Sequence, residues 1–271
     1  MILYWLLLTA FLPAAASAAQ PAVFADGQCV VVWEDQQERV YFAIRNNRLD
    51  DAVIDYDITG ASVNASGTIT IPPQHQDSLA FVTPSPLALG NYAYNLVMRD
   101  ANSIGDTLLW NAQATVAVVD STIVPSVVPT FDPFTLVGLQ RSSYQPQPKK
   151  TVVKTPKSPE KLGTTFLWTA VLTNVDPFDA GNLFQATPNA GSIVGDPGAL
   201  LDIDLAIENG SPVDFGSMNR VVFVVSDSMG FPLATACTPV VGDSLDMIPV
   251  GVTGPAATET RSWSHLKELF R

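Results

Sequence analysis

The chain has 271 residues, 47% of them hydrophobic and 15% charged, with 21 prolines, 17 glycines and a formal net charge of −12. That length suits one large domain or two ordinary ones, and the composition excludes both disorder, which is poor in apolar residues, and a coiled coil. Twenty-six acidic against 14 basic residues also exclude a nucleic-acid partner, because a polyanion is bound by a clustered basic surface.

Residues 1–19 are predicted to be a secretory signal peptide. Ile2 to Ala18 is apolar apart from Thr9, Pro13 and Ser17, and Ala16-Ser17-Ala18 fits an A-x-A cleavage site. No Lys or Arg follows Met1, so the α-amino group alone supplies the positive end. Pro13 interrupts the leucine-rich core, which is about ten residues long, and this favours a cleaved signal over an uncleaved anchor. No later stretch approaches the roughly 18 apolar residues of a membrane helix, so no transmembrane segment is expected in the mature chain. The expected location is extracellular, or periplasmic in a bacterium.

Residues 20–120 read as strands from end to end. Cys29–Trp33 is a β-branched run, Val40–Ile44 stops at the polar cluster Arg45-Asn46-Asn47-Arg48, and Ala52–Ile58 alternates Ile54, Tyr56 and Ile58 with Asp55 and Asp57. Gly67–Ile71 ends at Pro72-Pro73, Ser78–Val82 ends before Pro84, and Tyr92–Met98 and Leu108–Val119 follow. Short strands at roughly ten-residue spacing, separated by Gly, Pro and Asn, predict an antiparallel β-sandwich. In outline this segment resembles an immunoglobulin or fibronectin type III domain, although the buried tryptophan between two domain cysteines that marks antibody domains is absent.

Residues 121–163 hold six basic and two acidic residues, including five of the six lysines and seven prolines. Proline removes backbone donors and disfavours helix before it, so the segment reads as an extended linker between an acidic lobe on each side. The flanking segments, 20–120 and 164–255, carry net charges of −8 and −9, which predicts attraction between linker and lobes. The linker lysines serve either as a binding strip for an anionic partner or as a solvated spacer, and the modest charge density favours the spacer.

Residues 164–255 form a second β-rich domain with strands over Thr165–Thr173, Leu200–Ile207, Arg220–Ser226 and Pro232–Pro239. Residues 256–271 are expected to be a short C-terminal amphipathic helix in which Trp263, Leu266, Leu269 and Phe270 share one face beside Arg261, Lys267 and Arg271. About ten residues cannot hold a helix alone in water, so Trp263, Leu266 and Phe270 are candidates for docking on a partner, a membrane surface or the protein itself. The fold class expected is therefore all-β: two antiparallel β-sandwich lobes and a short terminal helix.

Cys29 and Cys237 are the two cysteines. In an oxidising compartment they are expected to pair; the alternative is an unpaired or intermolecular cysteine at each position. A bond between them would cross from one lobe to the other and dock the two. Asn64-Ala65-Ser66 is an N-glycosylation sequon in an expected loop, whereas Asn209-Gly210-Ser211 is followed by Pro212.

Little points to catalysis. The two histidines are His75, in the polar loop Pro72–Asp77, and His265, in the tail, and no G-x-S-x-G elbow, phosphate loop, dinucleotide fingerprint or H-E-x-x-H stretch occurs. No catalytic residue, cofactor or metal site is assigned. Asp50, Asp51, Asp55 and Asp57, and Asp202 with Asp204, are read as solvated strand faces rather than a weak calcium site.

The function expected is that of a secreted, non-enzymatic structural or interaction protein at a cell, matrix or particle surface, with a protein or surface partner. One alternative is carbohydrate binding, which needs exposed aromatic residues such as Trp110, Trp168 or Tyr144. The other is a sandwich-fold hydrolase, which needs two carboxyl groups about 5 to 10 Å apart in one cleft.

Overall fold

A computed structural model describes residues 23–73, 75–103, 107–130, 147–158, 165–175, 184–209 and 218–241. The signal segment and the C-terminal helix, with Trp263, Leu266 and Phe270, lie outside the described residues, as do Tyr144 and His265. Among the described residues the protein is all-β, with sixteen strands: β1 Val23–Gly27, β2 Cys29–Trp33, β3 Arg39–Asn46, β4 Ala52–Gly60, β5 Val63–Ile71, β6 Gln76–Val82, β7 Gly90–Asp100, β8 Leu108–Val119, β9 Ser126–Pro129, β10 Gln147–Lys154, β11 Thr165–Asn174, β12 Phe184–Thr187, β13 Ala190–Val194, β14 Leu200–Asn209, β15 Met218–Ser226 and β16 Pro232–Val241.

The strands make a three-stranded sheet, β1-β3-β6, and one large sheet of thirteen. In the large sheet β5, β4, β7 and β8 run antiparallel in that order, and β8 pairs with β2 in parallel from Cys29↔Thr115 to Trp33↔Val119. From β2 the sheet divides into two arms, β9-β10-β14-β12 and β16-β15-β11-β13. The first buried cluster lies between the small sheet and the β5-to-β2 part of the large one, with Phe42, Ile44, Ile54, Ile58, Tyr94 and Leu96 at its centre. The second is lined by both arms and includes Phe166, Trp168, Ile203, Leu205 and Phe223.

Strand β2 serves both clusters. Successive side chains of a strand point to opposite faces, so Val30 and Val32 enter the first cluster and Val31 the second. This explains why Cys29–Trp33 is apolar without alternation: a strand covered on both faces has no wet side. Strand β9 repeats the device, sending Val128 to the first cluster and Val127 to the second. Full burial of each such valine stabilises the fold by about 1.5 to 3 kcal/mol.

Within the segment read as a linker, the described residues 121–130 and 147–158 supply β9 and β10, with Val127 and Val153 fully buried, so this part of it is not a solvated spacer. Two of its prolines sit where strands tolerate them, Pro125 just before β9 and Pro129 at its last position. Two lysines of this segment meet residues at the end of β2. Lys154 and Lys157 place their ammonium groups 4.3 and 5.1 Å from the Trp33 ring centroid, and Lys157 Nζ stands 3.5 Å from the Asp35 carboxylate. The Trp33 indole N–H donates to the Val124 carbonyl at 3.0 Å, so its ring is held for those cations.

Alternation read from the sequence holds where one face is wet. Ile54 and Ile58 are buried while Asp55 is exposed, and Ile203 and Leu205 are buried while Asp202 and Asp204 are exposed. One buried group has no such logic. Tyr94 is 0% exposed with its ring 4.4 Å from that of Phe81, and its hydroxyl has no hydrogen-bond partner among the described residues. Burial raises its pKa, and the neighbouring Tyr92 raises it further. Replacing Tyr94 by Phe removes the desolvation cost of that hydroxyl, so Tyr94→Phe is expected to stabilise the protein by about 1 kcal/mol. Urea unfolding of the two proteins measures it; a loss of stability would show that the hydroxyl is bonded in solution.

Candidate functional site

The chain passes from the small sheet to the large one within Asp26-Gly27-Gln28-Cys29, and each of these residues reaches the β15–β16 hairpin. The Asp26 carboxylate accepts from Arg220 through both Nε, at 3.0 Å, and Nη2. The Cys237 sulfur lies 4.0 Å from the Gly27 carbonyl oxygen. Gln28 is fully buried: its Nε2 donates to Thr238 Oγ1 at 3.0 Å, and its Oε1 accepts from the Tyr41 amide at 3.1 Å. Cys29 is bonded to Cys237, with Cα atoms 4.6 Å apart and a sequence separation of 208.

The disulfide occupies the register position where β2 and β16 pair, the single bridge Cys237↔Cys29. Two directly opposite residues of a non-hydrogen-bonded antiparallel pair are about 4.5 Å apart at Cα, which suits a cross-strand disulfide. Backbone pairing holds the two strands at one point, and the covalent bond is placed there. Around it the fork-shaped guanidinium of Arg220 meets the largely buried Asp26 carboxylate bidentately, the strong geometry for such a pair. Phe24, Ala43 and Met218 close the contact in a small third cluster. The cysteines were legible as a pair from their number and compartment; Asp26, Gln28, Arg220 and Thr238 were not, because nothing local marks them.

Other sequence candidates are scattered. Asn64 lies on β5, not in a loop, and is exposed. The hairpin turn is confined to Ala61 and Ser62, both at positive φ, since Gly60 already pairs with Val63. His75 Nδ1 lies 2.7 Å from the Pro73 carbonyl oxygen, and Asp77 accepts from the Ser78 amide. Trp168 is buried, and Trp110 donates from its indole to the Ala25 carbonyl at 2.9 Å while meeting Phe24 edge-on. Trp168 thus packs inside, while Trp110 is half-buried with its indole nitrogen engaged.

Three carboxylates of β4 and β7 are engaged by neighbouring side chains. Thr68 Oγ1 donates to Asp55, and Arg99 donates to Asp57, each at 2.5 Å. Arg48 donates to Asp100 at 2.7 Å, and this bond holds the Asp100 carboxyl below the usual carboxylate range against the opposing effect of burial. Among the described residues no group of three or more His, Cys, Asp or Glu is placed to hold a metal ion. No helix among them is long and apolar enough to cross a membrane.

One surface differs from the rest of this acidic protein. Strands β13, β11, β15 and β16 lie side by side, and their faces away from the second core carry Val194, Leu167, Thr169, Val171, Val224 and Thr235. Val194, Val171 and Leu167 are 65%, 54% and 37% exposed. Among the described residues of these four strands no acidic residue stands on this face, and the cation on it, Arg220, is engaged by Asp26. At the β15–β16 turn beyond it, Met229 and Phe231 are exposed beside Asp227, whose carboxylate accepts from both of their amides.

No family model matches the chain, and no curated protein matches it. Among solved structures it is similar to the CARDB domain of a Pyrococcus furiosus protein in complex with di-metal ions, at 16% identity over 37% of this chain and 90% of that one, TM-score 0.32. It is similar also to red sea bream transglutaminase, at 11% identity over 78% of this chain and 29% of that one, TM-score 0.28. The apo-form Calx CBD1 domain is similar at 12% identity over 36% of this chain and 98% of that one, TM-score 0.27.

Proposed function

We propose that this chain is a secreted, non-enzymatic structural and interaction protein that acts at a cell, matrix or particle surface through its β-sandwich layers. The observation that carries the reading is the acid-free face of β13, β11, β15 and β16. In this chain of net charge −12 the solvent-facing sides of β4 and β14 carry the carboxylates Asp55, Asp202 and Asp204. A contiguous apolar and threonine-rich sheet face is the surface a protein partner covers, since burying it releases water without stripping charges of their hydration.

The clamp at Asp26, Gln28 and the disulfide supports the same role. It ties the strands of this face to the first core, so a load on either part passes through covalent and charge-assisted bonds. The fold class and the disulfide are compatible with an extracellular setting.

The test is retention of the protein on intact cells and isolated extracellular matrix of its source. Leu167→Glu with Val171→Glu places two charges on the face without touching either core. Retention is expected to fall at least tenfold while the unfolding midpoint stays within error of the parent. Equal retention of the two proteins would remove this face from the function.

A further inference from the structure

Strand β5 is an edge. It pairs with β4 over all nine of its residues, from Gly60↔Val63 to Ala52↔Ile71, and with no other strand among the described residues. Asn64 to Thr68 are exposed one after another. An open edge presents a row of unpaired backbone donors and acceptors, and proteins that stay monomeric protect such edges with charge, proline, bulges or shortness. Strand β5 has none of these. Its sequence, Val-Asn-Ala-Ser-Gly-Thr-Ile-Thr-Ile, contains neither a charged residue nor a proline, and its register on β4 is unbroken. The other edges are blunted: β12 and β13 have four and five residues, β1 is wholly buried, and β6 carries Asp77.

We infer that β5 is a homophilic edge, which pairs antiparallel with β5 of a second copy of this chain and joins two large sheets across a two-fold axis at Gly67. The pattern of the strand carries the choice of occupant. Register parity on β4 puts Ala65, Ile69 and Ile71 on the core side, opposite Ile58, Ile54 and Ala52, and Asn64, Ser66, Thr68 and Thr70 on the solvent side. Centred on Gly67, the antiparallel pair sets Ile69 against Ala65 and Ile71 against Val63 on one face. On the other it sets Thr68 against Ser66 and Thr70 against Asn64. Every apolar position meets an apolar one, every polar position meets a polar one, and all nine residues overlap, whereas any other register that keeps the faces loses two or more pairs.

Charge points the same way. Two copies of a chain at −12 repel over most of their surfaces, and an uncharged edge is where they approach at least cost. The nearest carboxylates, Asp55 and Asp57, stand one strand back and are bonded to Thr68 and Arg99. With backbone bonds as its main content, the contact is small and reversible, with Kd on the order of micromolar. It involves none of the face residues in the functional proposal and stands apart from it.

The experiment uses the secreted chain with its disulfide intact, made without N-glycans so that Asn64 is bare. Sedimentation over about 1 to 500 µM, bracketing that affinity, is combined with hydrogen exchange at both ends of the range. A monomer–dimer equilibrium is expected, with β5 amides exchanging at least tenfold more slowly at high concentration. Ala65→Lys should weaken the dimer at least tenfold by setting a charge against Ile69 of the second copy. Ser66→Lys, which gains Asp57 as its neighbour on β4, should do the same in a protein that folds as well as the parent. Val171→Lys, on the other surface, should leave the dimer intact. The inference is overturned by a monomer throughout the range, by a dimer whose β5 amides exchange unchanged, or by a dimer that survives both lysines at β5. Loss of surface retention in the Leu167→Glu and Val171→Glu protein is a separate readout, so either idea can fail alone.

Discussion

Replacing both Cys29 and Cys237 by alanine is expected to lower the free energy of unfolding by about 3 to 5 kcal/mol. The bond closes a loop of 208 residues, and in the chain-entropy account a loop of that size restricts the unfolded ensemble by about 5 kcal/mol. The native state loses more than an entropic restraint, because β2 and β16 meet at one bridge only. Guanidinium unfolding of the parent and of the double variant measures the difference. A second readout locates it: exchange of amides in β15 and β16 should accelerate more than exchange in β4 and β7, whose pairing does not pass through the bond. A variant as stable as the parent would show that Asp26, Gln28 and the third apolar cluster suffice to dock the hairpin.

The second large effect is expected at Gly27, in the same crossing. A Cβ placed there would stand 2.5 Å from the Gln113 carbonyl oxygen and 2.7 Å from the Ala114 amide nitrogen, both main-chain atoms of β8. No rotamer change relieves that contact, and β8 is fixed by β7 on one side and β2 on the other. Gly27→Ala is therefore expected to cost at least about 3 kcal/mol, the upper end for overpacking. Gly198→Ala serves as comparison: Gly198 has φ +72 and nothing within 4 Å of its would-be Cβ, so only backbone strain of about 1 to 2 kcal/mol is at stake. If Gly27→Ala unfolds no earlier than Gly198→Ala, the crossing is not packed as described. Gly27→Ala combined with the cysteine variant should be less than additive, since both act on one junction.

Particular residues show how far the fold was legible. Asp55 and Asp57 between Ile54, Tyr56 and Ile58 announce a strand with one wet face, and β4 is such a strand. Asp202 and Asp204 do the same for β14. Strand β1 escaped because Asp26 and Gly27 break any apolar run; they are there to meet Arg220 and to let the backbone approach β8. Strands β9 and β10 escaped because prolines and lysines gave the segment the composition of a spacer, although Val127, Val128 and Val153 are core residues. Asn64-Ala65-Ser66 reads as a loop because Asn and Ser are turn formers, yet the turn is made by Ala61 and Ser62. The candidate surface was less legible still. Leu167, Thr169 and Val171 read as strand residues, but only the register that sets them beside Val222 and Val224 makes one acid-free face of them.

The sequence by itself determined the all-β class, the net acidic charge, and the presence of two cysteines fit to pair. These follow from period-2 patterning, net charge and residue counts, which are local or additive properties. Tertiary structure decided that β2 carries one large sheet past two cores, that Asp26 and Gln28 meet a hairpin some two hundred residues away, and which strand is left as an open edge. Those depend on which strands become neighbours. Neighbours are chosen by non-local packing and register, and a strand has the same period whether its edge is paired or bare.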